Sequence, residues 1–323
     1  MRTLIIISFF LICSGSLREV SAQENEKLKA VLNELKVELV QPGTISTGGF
    51  EFGTSISPDR SQLFFVKGIT GFRRTVIVYC DWNDGYWSKP KVAPFSGQYP
   101  DTNPYFSKDG NRLYFTSTRP TQNPSYGNSN IWYVDRIENE WSKPRLLEGG
   151  INDKYEIVYP TMDSEGTIHF VSWSRPESKN GDIFMSTLHK GKYSVPILVD
   201  ELNTLYSDAD PEISPDGKFL ILTSQREGGY GHYDLYIFKR QVNGKWGAGI
   251  NLGPKVNSVS MDSDPIFDPR GNVLYFSSDR LNSDEQSIKY SDYDELVDSY
   301  NQIHNGLMNI YKVNITSLID YLD

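Results

Sequence analysis

Five stretches of this 323-residue chain spell the same hairpin: TSISPDRSQLFFVK from Thr54, PYFSKDGNRLYFTSTR from Pro104, PTMDSEGTIHFVSWSR from Pro160, PEISPDGKFLILTSQR from Pro211 and PIFDPRGNVLYFSSDR from Pro265. Their turn positions, Asp59, Asp109, Glu165, Asp216 and Arg270, fall 50 to 56 residues apart. That period belongs to a propeller and not to a helical solenoid. A polar side chain that bonds the backbone closes each turn, and Gly110, Gly166, Gly217 and Gly271 take positive φ at little steric cost.

The strand after each turn, such as LYFTS from Leu113 or LILTS from Leu220, carries large residues on both faces, the pattern of a strand buried on both sides. A third strand follows a variable loop, beginning at Val76, Asn130, Asp182, Asp234 and Asn309. A fourth is read at GYWSKPKVAP, NEWSKPRLLE, GKYSVPILVD and GKWGAGINLG. The fifth unit has no such segment, but the N-terminal LKVELVQPG from Leu35 has the right character and spacing to supply it. The expected fold class is therefore all-β: a single β-propeller of five four-stranded blades closed by an N-terminal strand, with six blades as the alternative.

These units resemble the WD40-like propeller repeats of the TolB family. PEISPDGKFLILTSQREGGYGHYDLY matches the P-x-x-S-P-D-G turn, the strand ending in S-x-R and the D-I-Y-like third strand, and the resemblance covers nearly the whole chain after its leader. The fourth and fifth units also look like envelope proteins that set such repeats beside a peptidoglycan-binding domain. The resemblance implies an envelope or periplasmic protein that binds other molecules. It departs from the family in blade number, since TolB-type propellers usually have six. As a guide to function it is weak, because the matching residues are those that build the hairpin.

Residues 1–22 read as a secretory signal, with Arg2, the apolar run LIIISFFLIC and small residues before Gln23. A periplasmic or extracellular location is the expectation. Residues 23–36 are expected to form a short helix or linker, in which Leu28, Val31, Leu32 and Leu35 recur at helical spacing, and 37–323 to form the propeller. Cleavage removes Cys13 and leaves Cys80 alone, so no internal disulfide is expected. No later segment is apolar enough to span a membrane. A net charge of -9 argues against a nucleic-acid partner. The expected state is a monomer, and the expected partner an envelope protein or glycan.

One acidic position recurs ahead of the first strand of each unit, at Glu51, Asp101, Asp208 and Asp262, with Glu156 one step out of line. Inner strands line a propeller's channel, so these carboxylates are candidates for a ligand or metal site at the channel mouth, with Ca²⁺ the suited ion. They are equally candidates for structure. Arg119, Arg175, Arg226 and Arg280 recur after the second strand, and their forks suit bidentate pairing with carboxylates as an inter-blade clamp. Asn103, Asp210 and Asp264, beside the recurring Pro, share this ambiguity.

If the protein is an enzyme, a carbohydrate-active hydrolase or lyase using Glu51, Asp101 and Glu156 is the candidate. Against it, catalytic residues normally break a repeat, and these belong to one. His169, His189, His232 and His304 show no metal-ligand spacing, and Trp87, Trp141 and Trp246 share a position suited to core aromatics. The insertion 281–307 in the fifth unit and the loop from Pro120 are where the units differ most, as expected of binding loops on a rigid frame.

Overall fold

The computed structural model describes residues 24–69, 71–281 and 290–323; residues 1–23, with Cys13 and the expected signal, and residues 282–289 of the fifth-unit insertion, lie outside the described residues. Five antiparallel sheets stand in a ring, and in four of them the earliest strand is innermost. The inner strands are Phe50–Ile56, Asp101–Phe106, Val158–Met162, Asp208–Ile213 and Asp262–Phe267, defining blades I to V. The fourth strand of blade V is Val37–Leu39, which pairs antiparallel with Asn309–Asn314, Val37 opposite Val313. The ring is thus closed by the N-terminal strand, and blade V offers no free outer edge at that point.

The apolar residues on both faces of each second strand are explained by the ring, because every sheet is packed between two others. In blade IV, Leu220 and Leu222 point into the cluster shared with blade III, while Phe219 and Ile221 point into the cluster shared with blade V. Blade I divides the same way: Phe64 and Val66 face blade II, Leu63 and Phe65 face blade V. A shift of register by one residue would exchange the two sets, so the alternation fixes the pairing.

The turns behave as their chemistry requires. In four units a carboxylate oxygen of Asp59, Asp109, Asp163 or Asp216 accepts the backbone N–H two residues on. In blade V, where Arg270 occupies the turn position, Asp268 takes over and accepts from Asn272 N and Val273 N at 3.0 Å. Arg60 adopts the positive φ that glycine supplies elsewhere.

Helix α1 spans residues 24–34, and its Leu32, with Leu35 just beyond, is buried in the cluster between blades IV and V. A C-terminal helix, called α3 here because α2 (Tyr293–Tyr300) precedes it in the insertion, runs Thr316–Leu322 and buries Leu318 in the same cluster. Tyr321 Oη donates to Glu24 O at 2.9 Å, joining the two helices at the closure. No helix among the described residues is long and apolar enough to cross a membrane. Leu35→Ala is expected to cost about 2–4 kcal/mol by opening a cavity beside the closing strand, measured as a lower midpoint in urea. A chain beginning at Gln41 should melt earlier still and associate through the exposed edge of Asn309–Asn314, read by light scattering.

Candidate functional site

The recurring acids stand at the start of the inner strand in four blades, and the fold seals them. Glu51, Asp101, Asp208 and Asp262 are fully buried. Asp208 Oδ1 accepts from Arg226 Nη2 at 2.6 Å and from Ser224 Oγ at 2.6 Å, while its Oδ2 accepts from Thr204 N and Thr204 Oγ1 at 2.6 and 2.7 Å. Asp262 repeats this with Arg280 at 2.5 Å and with Ser258 N and Oγ. Asp101 pairs with Arg119 at 2.7 Å and with Ser96 Oγ. At Asp101, burial raises the carboxyl above its ordinary value against the pull of Ser117 and Arg119. Blade I has no arginine at this place, and Lys67 Nζ reaches Glu51 at 2.7 Å instead.

This geometry corrects two expectations. The four carboxylates do not face a channel mouth, because their oxygens are committed to donors of the protein. The arginines do not clamp one blade to the acid of another: Arg119, Arg226 and Arg280 each bind the acid 18 residues earlier in their own blade. Their reach across blades goes to the connector, since the same Nη2 donates to Phe95 O, Leu202 O or Val256 O in the segment arriving from the preceding blade. Rings flank the guanidinium, with Arg226 Cζ 4.9 Å from the Tyr236 centroid and 5.1 Å from that of Phe238.

Blade III departs from the pattern. Arg175 pairs with Asp153 at 3.0 Å, and Glu156 is partly exposed, accepting from Asn128 Nδ2 at 3.1 Å. Asp153 was not singled out from the sequence, nor were Asn152, Asn203 and Asn257. Each of these asparagines accepts the backbone N–H of the second residue of a third strand, Ile131, Ile183 or Leu235, at 2.7 to 2.9 Å and donates back to that residue's carbonyl. Their own regular spacing was the available signal.

The channel itself is organised one step further along. Each inner strand carries a bulge whose residue takes positive φ: Gly53 at 58°, Asn103 at 48°, Tyr159 at 58°, Asp210 at 49° and Asp264 at 51°. Glycine, asparagine and aspartate tolerate this backbone, whereas tyrosine is strained there. Tyr159 spends that strain on a contact across the ring, its Oη donating to Pro265 O at 2.9 Å.

Four of these bulge residues line a cavity of about 410 Å³ at the ends of the inner strands where the sealed acids lie. Its walls are largely aromatic and apolar, with Phe52, Phe72, Val158, Trp173, Tyr233 and Met261 prominent. Phe72 and Trp173 are about half exposed at the rim, where the loops joining second to third strands meet. The flanks of the Pro120 loop, Thr118 and Ser129, and the residue after the insertion, Met308, line the same cavity, so both loops lie on that face. The insertion is anchored beside it by Asn305 Nδ2 donating to Gly48 O at 3.0 Å.

Asp210 and Asp264 meet in this cavity: Asp264 N donates to Asp210 Oδ2 at 3.3 Å, and Ser263 Oγ to Asp264 Oδ2 at 3.1 Å. Neither has a cationic partner among the described residues. Burial pushes Asp210 up to about 6, and burial together with the neighbouring Asp210 charge pushes Asp264 well above the carboxylate range. At the opposite mouth a second cavity of about 260 Å³ holds Glu212, which burial lifts to about 8 and whose Oε2 accepts from Thr161 Oγ1 at 2.9 Å.

Among the described residues no three His, Cys, Asp or Glu side chains are grouped to hold a metal ion. His169 is buried, and burial lowers its imidazole to about 4. Cys80 is buried and its thiol is pushed up to about 12. Trp87 and Trp246 are core residues, and Trp141 packs partly buried against the cluster between blades I and II.

No protein-family model matches the chain, and no curated protein does. Among solved structures it is similar to an alpha-L-arabinofuranosidase from Lactobacillus brevis, with a TM-score of 0.50 at 11% identity, over 84% of this chain and 92% of that one. It is also similar to TolB from Acinetobacter baumannii, with a TM-score of 0.46 at 17% identity, over 82% of this chain. The chain spans 54% of that TolB. The catalytic domain of an alpha-L-arabinofuranosidase from Coprinopsis cinerea gives 0.49 at 14% identity, over 86% and 97%. At such low identity a likeness speaks to the fold alone; the class, a five-bladed β-propeller, is given by the chain's own five sheets in a ring.

Two outcomes follow. Arg226→Met should cost about 3–5 kcal/mol by stranding Asp208 as a buried unpaired charge, and Asp208→Asn with Arg226→Met should recover part of it, measured in urea. Asp264→Asn acts in the other direction. The Asp210 and Asp264 carboxyls hold protons more tightly folded than unfolded, so their contribution to stability is full at low pH and is lost as pH rises through about 6 and beyond. The variant should therefore be more stable than the parent by at least about 1 kcal/mol at neutral pH, with the gap closing towards pH 4 in melts across that range.

Proposed function

We propose that this protein is an exported β-propeller that works by recognition, holding a ligand of the cell envelope at the central cavity and the loop face around it. The observation that carries the reading is where the repeat loses its symmetry. The sealed acids are nearly the same in four of the five blades, as a structural part should be, whereas the bulge position beside the axis changes from Gly53 to Asn103, Tyr159, Asp210 and Asp264. A rigid ring with differing side chains converging on one cavity is a preorganised binding site. The signal-like leader and the resemblance to TolB-type repeats support an envelope location.

A second reading, a carbohydrate-active enzyme, is favoured by one observation: two adjacent carboxyls lie in the cavity, and burial raises both above the ordinary carboxylate range, Asp264 furthest, which is the material of acid–base chemistry. The residues that would serve are then Asp210 and Asp264, and not Glu51, Asp101 and Glu156, of which the first two are sealed and the third lies outside the cavity lining.

The two readings part on turnover. Incubated with arabinan, xylan and peptidoglycan fragments, the protein is expected to release no new reducing ends while binding one of them saturably in calorimetry. Release of sugar that Asp210→Asn abolishes would establish the enzyme instead.

A further inference from the structure

Most buried carboxylates in this protein are provided for; Glu212, at the opposite mouth, has no cation and accepts only from Thr161 Oγ1 and Phe267 N among the described residues. Glu51 has Lys67, Asp101 has Arg119, Asp208 has Arg226 and Asp262 has Arg280. Asp182 and Asp234, which have no cation, accept backbone N–H groups from their own loops, Lys179 for the one and Tyr230 and Gly231 for the other. Asp210 and Asp264 differ: among the described residues neither has a cation, their partners are hydroxyls (Thr223 for Asp210, Ser263 and Ser277 for Asp264) and the Asp264 backbone N–H, and they face a cavity. Two adjacent carboxylates with no counter-charge are costly to ionise, and the protein's own answer is to keep a proton between them. A ligand that brings a positive charge is a better answer.

A second feature lies beside the same space. Thr75 and Thr116 line the cavity almost wholly buried, and their hydroxyls have no hydrogen-bond partner among the described residues. Buried hydroxyls are rarely left so, and these two are polar groups beside the cavity wall that remain to be satisfied. The rest of the wall is π-surface and hydrocarbon, from Phe52, Phe72, Trp173 and Tyr233. Aromatic faces attract cations and accept apolar bodies, and they do little for a free inorganic ion.

We infer that the central cavity binds a small organic ammonium ligand, its charged nitrogen against Asp210 and Asp264 and its apolar body against the aromatic wall. The inference rests on the central cavity being the ligand site, and it adds the ligand's class. The volume, about 410 Å³, is that of a small-molecule site, too small for a folded partner to enter. The acidic net charge of -9 favours approach of a cation. Tyr159, anchored across the ring to Pro265, floors the cavity and stops the ligand passing through.

The test titrates the full mature chain with 2-phenylethylamine and with its uncharged counterpart 2-phenylethanol at about pH 8, by calorimetry. The amine should bind about tenfold or more tightly than the alcohol, and the preference should vanish in Asp210→Asn with Asp264→Asn. Asparagine already occupies the equivalent backbone at Asn103, so the variant keeps a tolerated conformation, which melts would verify. Should it fail to fold, Asp210→Asn alone is expected to weaken the preference several-fold. Equal binding of amine and alcohol would overturn the ammonium inference while leaving the cavity as the ligand site, as would a preference that survives both substitutions. Binding of neither probe would overturn the inference and the reading of the cavity together.

Discussion

A charged group buried at the start of the inner strand in four of the five blades is the constraint on which the ring depends. Asp101, Asp208 and Asp262 lie with no exposure to solvent, where a bare carboxylate would be untenable. Each is made tolerable by the arginine that ends the next strand and by hydroxyl or backbone donors of the connector that enters the blade. The same arginine then holds a connector carbonyl, so one network fixes the inner hairpin and the chain crossing from the blade before it. Replacing such a pair with apolar residues need not destabilise, but removing one member must. The network therefore explains position and order more than it explains total stability, which comes from the apolar clusters between blades.

Those clusters leave the ring axis as the place where side chains are not spent on packing. Because the inner strand bulges in every blade, the residue at positive φ is turned toward the axis, and its identity can change without disturbing the blade. Tyr159 uses the position to close the channel, Asn103 to present an amide, and Asp210 and Asp264 to place two carboxyls side by side. Strain and like-charge repulsion are gathered at one spot while the blades around it remain regular. Such local cost is what a binding site on a rigid frame looks like.

Much of the architecture was legible in the residues. The turn period gave the blade number, the two-faced apolar strands gave burial between neighbours, and the outlying LKVELVQPG could only complete the fifth sheet. The recurring acids and arginines were also visible, and their pairing was anticipated. Their partners' location was not, because a fixed spacing of 18 residues says that Asp and Arg recur together but not that they share a blade. Asp153 escaped notice because blade III has Ile157 where the other blades have an acid, so its arginine turns to a carboxylate off the pattern. Asn152, Asn203 and Asn257 escaped because short polar residues before a strand read as ordinary loop.

What the sequence by itself determined is the fold: local hairpin chemistry repeated at one period admits few closed arrangements, and the first strand supplies the closure. What only the tertiary structure decided is which acids are free. Glu51, Asp101, Asp208 and Asp262 stand out in the sequence by recurring, yet recurrence is the mark of a part used in every blade, and here that part is sealed. Asp210 and Asp264 lie 54 residues apart and become neighbours only when the ring closes. Their proximity, their shared cavity and their lack of a counter-charge are properties of that closure, which no local reading of either segment contains.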